Sequence, residues 1–270
     1  MADLLRVENL GKTYAMGGPP WNCRRVAALD GISLCVQRGR TLGLVGESGS
    51  GKSTLGRCIL GLTAADSGQV IFDGVAVQGL SGRALSDFRR RVQPVFQDPF
   101  GSLDPRWPVG RSVREALDCF RIGSPIDRDA RVLDLFDRVG LNPALAGRLP
   151  SALSGGQRQR VAIAAALASS PDLIIADEPV SALDMSVQAQ ILNLFMDLQA
   201  DLGVACVFIT HDLGVVNHVS DDIAVLSRGA LVEIGPTEQV MLHPRHAYTR
   251  TLLAANPTLT KGEPHAHRQD

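Results

Sequence analysis

The stretch Gly46-Glu47-Ser48-Gly49-Ser50-Gly51-Lys52-Ser53 constrains this chain more than any other eight residues. It is a glycine, four free positions, then Gly-Lys-Ser, the pattern of a loop that wraps a polyphosphate. Residues 40–45, Arg-Thr-Leu-Gly-Leu-Val, read as a short buried strand, and residues 54–60 carry apolar side chains at helical spacing. Strand, loop and helix in that order is the setting the pattern requires. Backbone N–H groups must close around the phosphates, and side chains would block that approach. Gly46, Gly49 and Gly51 remove them and accept unusual backbone angles. The helix that follows points its positive N-terminal end at the same place. Lys52 is expected to reach the β- and γ-phosphates, and the Ser53 hydroxyl to ligate Mg²⁺.

Other segments supply what such a loop needs around it. Residues 173–178, Leu-Ile-Ile-Ala-Asp-Glu, are an apolar strand ending in two carboxylates. Buried parallel strands look like this, and their ends carry ligands. Asp177 is expected to hold Mg²⁺, directly or through water, and Glu178 to orient and deprotonate an attacking water. Residues 203–210 form a second buried strand ending in His211-Asp212. A lone strand-end histidine is usually structural, but at a sheet edge already carrying Lys52 and Glu178 it reads as part of the site. Leu153-Ser154-Gly155-Gly156-Gln157 opens a helix over 158–168, with Ser154 a good N-cap. That element is either a capped helix and nothing more, or a second anion site built on free N–H groups and the helix dipole.

The remaining chain sets the fold class. Residues 4–10 alternate as a strand with one wet face, and Tyr14 follows as either a surface residue or a platform for a flat base. Residues 16–25 read as a Gly/Pro loop, 26–37 as further strand, and 69–74 as a strand ending in an Asp-Gly turn. Residues 83–91 form a charged helix with a solvated face. Gln97 ends a strand before the Pro-rich loop 101–108, and by itself is an ordinary turn residue. Helical periodicity at 113–118 and 130–139, with no strand pattern between, indicates a helical subdomain over about 97–157. A helix over 187–200 and a hairpin around Arg228-Gly229 complete the core. The expectation is an α/β phosphate-loop ATPase core with a mixed sheet (about 4–96 and 158–235). A small N-terminal antiparallel β subdomain and the helical insert flank it. A polar C-terminal tail over 236–270 is expected to be disordered beyond about 257.

Composition excludes several classes. A formal net charge of -1 argues against a nucleic-acid footprint, which needs a basic face. The five cysteines, Cys23, Cys35, Cys58, Cys119 and Cys206, never stand at metal-ligand spacing and read as thiols in a reducing compartment. No signal-peptide pattern opens the chain, and no apolar run approaches the roughly 20 residues of a membrane span. The expected place is the cytoplasm, with any membrane association made through a partner.

Taken together, the motifs resemble those of ATP-binding subunits of ABC transporters. The residues that carry the likeness are the phosphate loop, Val-Phe-Gln-Asp-Pro at 95–99, Leu-Ser-Gly-Gly-Gln at 153–157, Leu-Ile-Ile-Ala-Asp-Glu-Pro at 173–179, Ser-Ala-Leu-Asp at 181–184, and Thr210-His211-Asp212. Segments 97–106, 154–164, 175–194 and 243–257 are similar, more narrowly, to the peptide/nickel importer group, and within it to the second ATP-binding subunit of dipeptide systems. The resemblance implies ATP and Mg²⁺ as ligands, with Thr54 joining the phosphate loop in binding ATP. It implies that Tyr14 stacks on adenine, that Gln97 contacts Mg²⁺ and the attacking water, and that His211 bonds the γ-phosphate. Ser154, Gly155, Gly156 and Gln157 would cap the ATP held by a partner subunit, and Asp184 would tie the two sites together. The implied partners are a second ATP-binding subunit, in a homodimer or, as the family suggests, a heterodimer, with two transmembrane permease subunits and an extracytoplasmic solute-binding protein. The implied place is the cytoplasmic face of the inner membrane. Peptide import is the implied task. Nickel import is the alternative, and a non-transport ABC ATPase or an ATP-holding module without turnover are the more distant rivals. Two departures stand out: Ala165 where relatives often carry Arg, and no cysteine beyond Cys206 for a C-terminal iron–sulfur centre.

Overall fold

The computed structural model describes residues 3–16, 24–98, 101 and 103–255. Two sheets organise it. The first is antiparallel, with order β2-β1-β4-β5. Its strands are β1 (Asp3–Met16), β2 (Arg24–Gln37), β4 (Ser67–Phe72) and β5 (Val75–Ala76). Asp73 and Gly74 both take positive φ, 51° and 79°, which is the backbone of a tight hairpin turn between β4 and β5. β1 is longer than its alternation suggests, because the β1–β2 register shifts between Val7 and Leu10 and again on either side of Lys12. Each bulge breaks the period of two that marks a strand in sequence. Most of the expected 16–25 loop lies outside the described residues.

The second sheet is mixed, with order β10-β9-β3-β8-β7-β6. Its inner strands are β3 (Thr41–Val45), β7 (Leu173–Asp177) and β8 (Ala205–Ile209), flanked by β6 (Val92–Val95) and β9 (Asp222–Ser227). These five run parallel, and β10 (Ala230–Pro236) returns antiparallel on β9. Both faces are covered, which is why the strands read as unbroken apolar runs. Leu173, Ile175, Val207 and Ile209 face the core shared with the antiparallel sheet. Ile174, Ala176, Cys206 and Phe208 face the core shared with the helices, where Phe208 meets Phe195 edge-on at 5.6 Å.

Helix α1 (Lys52–Ile59) follows β3, and α2 (Gly82–Arg91) precedes β6. α1 starts two residues earlier than its apolar spacing indicates. Between β6 and β7 stand α3 (Val109–Cys119), α4 (Pro125–Arg138) and α5 (Gly155–Leu167), joined through short 3₁₀ turns at Pro143–Gly147 and Pro150–Ala152. α3 and α4 fall within the stretch of about 97–157 expected to be helical, and α5 runs on past it. Helix α4 begins with Ser124 and Asp127 capping each other's backbone N–H, which fixes its start five residues before the expected one. α6 (Met185–Leu202) and α7 (Leu213–Val219) follow β7 and β8.

The segment expected as a polar tail carries two more helices, α8 (Thr237–Leu242) and α9 (Ala247–Ala254). Val240 is fully buried against Val45, Val216, Ile223 and Val225, with Tyr248 packed beside them. Helices this short hold only through tertiary contacts, so sequence periodicity gives little sign of them. Residues from 256 onward, where disorder was expected past about 257, lie outside the described residues.

Candidate functional site

Parallel strands place their carboxyl ends together, so what β3, β8, β7 and β6 carry at those ends faces one edge. β3 ends in the loop Gly46–Gly51. That loop is supported from two sides. The turn Arg228-Gly229 between β9 and β10 sends the Gly229 N–H to the Ser50 carbonyl at 3.0 Å, and its own carbonyl accepts the Asp30 N–H at 2.8 Å. Gly51, at φ 106°, comes so near β2 that a Cβ there would lie 2.3 Å from the Ala28 carbonyl oxygen. Gly46 is pressed as closely to β9. Glu47, Ser48 and Gly49 are exposed at the mouth, Ser50 is buried and Thr54 is half-buried.

Lys52 is buried at 5% exposure and turns back into the loop. Its Nζ donates to the Gly46 carbonyl at 2.8 Å and the Glu47 carbonyl at 2.9 Å. Burial lowers its pKa from the usual 10.5, partly offset by the charges of Glu178 and Asp177. Ser53 Oγ donates to Asp177 Oδ1 at 3.0 Å. A hydroxyl and a carboxylate thus face one point at the start of α1. Among the described residues, no group of three or more His, Cys, Asp and Glu could hold a metal ion. A Ser–Asp pair suits Mg²⁺, which keeps most of its ligands as water and phosphate oxygens.

Burial raises the Asp177 carboxyl above its usual 3.8, against the opposing bond from Ser53. The native state therefore takes up this proton at a higher pH than the unfolded chain does. The stability this group contributes is present at low pH and is lost as pH rises from about 3.8 through its native pKa. Asp177→Asn removes that loss. The nucleotide-free variant is expected to melt higher than wild type at pH 7, with the difference fading toward pH 4, while Mg²⁺ ceases to strengthen ATP binding. Calorimetric melts across pH, with binding titrations at and without Mg²⁺, check both halves.

Glu178 follows directly and holds φ 48°, a left-handed conformation that non-glycine residues seldom adopt. Its N–H donates to the Ile209 carbonyl at 2.9 Å, and its carbonyl accepts from Ser181 N–H at 3.3 Å and Ser181 Oγ at 3.1 Å. Backbone held in such a region marks functional sites, because the surroundings must over-determine it. The result is a carboxylate aimed at β8, where His211 Nδ1 lies 3.4 Å from Glu178 Oε1. The flanking residues are structural: Thr210 is buried, and Asp212 caps α7 by accepting from Gly214 and Val215 N–H. Gln97 is exposed just past β6. The β6–β7 rungs end at Val95↔Ala176, so Gln97 and Glu178 each lie two residues beyond the last rung.

Two of the motif groups pack on one another, Gly155 beside Leu183 and Gly156 beside Val187. Ser154 and Gln157 cap each other's backbone N–H at the start of α5. Gly156 there packs so tightly that a Cβ would lie 2.6 Å from Val187. Asp184, in the same neighbourhood, caps α6 by accepting from Val187 N–H at 3.0 Å and from Ser186 Oγ at 2.7 Å. Those bonds, Ser186 first, lower its pKa. Tyr14 is 38% exposed, pairs with Val26 two residues from Ala28, and has the Lys12 ammonium 5.6 Å from its ring centre. Two contributors escaped the sequence reading. Tyr248 reaches the phosphate loop from residue 248 and has no local pattern to announce it, and the strained φ of Glu178 is invisible in sequence.

A phosphate loop on a parallel strand, two carboxylates and a histidine on its neighbours, and a helical insert capped by Ser-Gly-Gly-Gln define an ATP-binding cassette ATPase. The chain belongs to the ABC transporter family, whose profile matches residues 29–181. It is 48% identical to a probable peptide ABC transporter ATP-binding protein of Sinorhizobium fredii, over 95% of this chain and 74% of that one. It is 46% identical to the oligopeptide transport ATP-binding protein OppF of Streptococcus mutans, over 94% of this chain and 82% of that one. Against the glutathione import ATP-binding protein GsiA of Escherichia coli the identity is 48% over 94% of this chain, which spans 41% of that longer protein. Among solved structures, a dimeric post-hydrolysis state of the ATP-binding cassette MJ0796 bound to ADP and phosphate superposes with a TM-score of 0.77. It is 32% identical, covering 86% of this chain and 98% of that one. CbiO1 of Clostridium perfringens, part of the transporter complex CbiONQ, also gives 0.77 at 29% identity, covering 95% of this chain and 97% of that one.

Proposed function

We propose that the chain is the ATP-hydrolysing subunit of an importer for peptides. The observation that carries the chemistry is the convergence of Lys52, Ser53, Asp177, Glu178 and His211 on one sheet edge. In this reading the N–H groups of residues 48–54 and Lys52 bind the ATP phosphates, and Tyr14 stacks on the adenine. Ser53, Asp177 and Gln97 would hold Mg²⁺, which supplies charge neutralisation on the phosphate oxygens. Glu178 takes the proton of a water as its oxygen bonds to the γ-phosphorus, the bond to the β-phosphate oxygen breaks, and His211 hydrogen-bonds the transferred phosphoryl group.

The Ser154–Gln157 turn is the second half of the site, contributed to the ATP of a second ATP-binding subunit. Its helix start offers free N–H groups, and it packs on the Asp184 turn of its own chain. Two such subunits would close with ATP between them and open on hydrolysis. Asp184 crosses that interface, and the loop after Gln97 passes the motion to two permease subunits served by a solute-binding protein. Among the described residues no helix is long and apolar enough to cross a membrane, which fits a subunit seated on the cytoplasmic face of the permeases. The peptide cargo is supported by the names of the relatives, whose stated tasks are peptide, oligopeptide and glutathione transport.

The test is uptake of labelled di- and oligopeptides in cells lacking the gene. Uptake is expected to fall and to return with the wild-type chain but not with Glu178→Gln. Undiminished peptide uptake in the deletion strain would contradict the cargo assignment.

A further inference from the structure

The peptide group joining Gly46 and Glu47 is held at both of its polar ends. Lys52 Nζ donates to its carbonyl oxygen, that of Gly46, at 2.8 Å. Its N–H, that of Glu47, donates to the hydroxyl oxygen of Tyr248 at 3.2 Å, a contact across 201 residues of chain. We propose that Tyr248 is a positioning residue for the phosphate loop, and that the C-terminal helices act as a strap setting the loop's affinity for ATP. The inference rests on reading residues 46–53 as the ATP site.

The strap is anchored where it needs to be. The Glu233 carboxylate on β10 accepts the N–H groups of Arg245 and His246 at 2.8 and 3.0 Å. His246 in turn caps α9, its Nδ1 accepting the Tyr248 N–H at 3.2 Å. The Tyr248 ring packs against the small core that contains Val45, the last residue of β3, with Val240 and Val225. β10 pairs with β9, and β9 pairs with β3 up to Val45↔Val225. The circuit therefore closes on the strand that launches the loop: β3, loop, Tyr248, Glu233, β10, β9, β3.

The arrangement has a consequence when ATP enters. Lys52 is needed by the phosphates, so its hold on the Gly46 carbonyl is shared or lost. Tyr248 then remains as the polar contact from outside the loop that keeps this peptide plane oriented. A loop already in its binding shape loses less freedom on taking the ligand, and so binds more tightly. One neutral hydrogen bond is worth about 0.5–1.5 kcal/mol, or a two- to twelvefold change in affinity.

Calorimetric titration of the full chain with ATP separates the possibilities, since it returns both a dissociation constant and the number of sites per chain. Tyr248→Phe removes only the hydroxyl and is expected to raise Kd about 3–10-fold with the number of sites unchanged. Glu233→Gln, which loosens the anchor, is expected to give a smaller rise in the same direction. A Kd equal to wild type in Tyr248→Phe overturns the proposal, and so does a loss of sites at constant Kd, the mark of a role in folding alone. Failure of the underlying reading looks different: the wild-type chain itself would not bind ATP.

Discussion

Glu178→Gln is expected to keep ATP binding close to wild type and to cut hydrolysis ~10²–10⁴-fold, the usual worth of a positioned general base. The substitution is nearly isosteric. The bonds that hold the residue at φ 48° run through its backbone N–H to Ile209 and through its carbonyl from Ser181, so none involves the carboxylate. The variant therefore tests the base and not the fold. An amide cannot take the proton from water, yet Lys52, Ser53 and the loop N–H groups keep their places. Phosphate-release kinetics alongside nucleotide binding read the two effects separately. Hydrolysis within a few-fold of wild type would remove Glu178 from the role of base and leave His211, 3.4 Å away, as the next group to replace.

Gly46→Ala is expected to damage the site as severely by a different route. A Cβ at Gly46 would lie 2.1 Å from the Leu226 carbonyl oxygen and 2.7 Å from Ser50 Oγ. Backbone stands on one side and the loop's own side chain on the other, so the loop must move off β9. Overpacking of this kind costs about 1–3 kcal/mol of stability. Displacing the loop by an ångström misplaces the phosphates against Glu178, for an expected loss near 10²-fold in kcat/KM. Gly147→Ala is the matched control. Nothing lies within 4 Å of a Cβ there, so stability is expected to change by less than about 0.5 kcal/mol, with no change in turnover. Equal effects from the two alanines would show that Gly46 is not set by close approach.

What the sequence disclosed follows from how local each signal is. The phosphate loop, the strand of residues 173–177 and the strand of residues 205–209 are each written within a few residues, as glycine spacing or as a doubly buried apolar run. Each appears in the fold within a few residues of its expected bounds. The turns at Asp73-Gly74 and Arg228-Gly229 are equally local, and both pairs adopt the positive φ values that make tight hairpins. β1 was legible only in its first half, because its bulges scramble alternation. Helix α4 carries its start signal openly, Ser124 with Asp127 three residues on, whereas apolar periodicity begins only at 130.

Pairings over long separations are a different matter. That Ser53 meets Asp177, and that Glu178 faces His211, is set by strand order, which no local pattern states. For these residues the family likeness supplied the grouping and the geometry supplied the contacts. Asp184 shows the reverse. Its resemblance role lies across an interface, whereas within this chain it is the N-cap of α6. One residue can serve both, since a cap uses one carboxylate oxygen as acceptor and leaves the other open. Tyr248 stands in a segment with no local pattern of its own, and only the fold shows its contact with the phosphate loop.

We propose that hydrolysis needs two cassettes, each phosphate loop completed by another subunit's Ser154–Gln157. The most direct measurement is phosphate release per chain, at saturating Mg-ATP, over a hundredfold range of protein concentration. Turnover per chain is expected to climb with concentration toward a plateau, as chains pair around ATP. Turnover per chain that stays level from the most dilute sample upward would mean that a single chain completes its own site, and would contradict the claim.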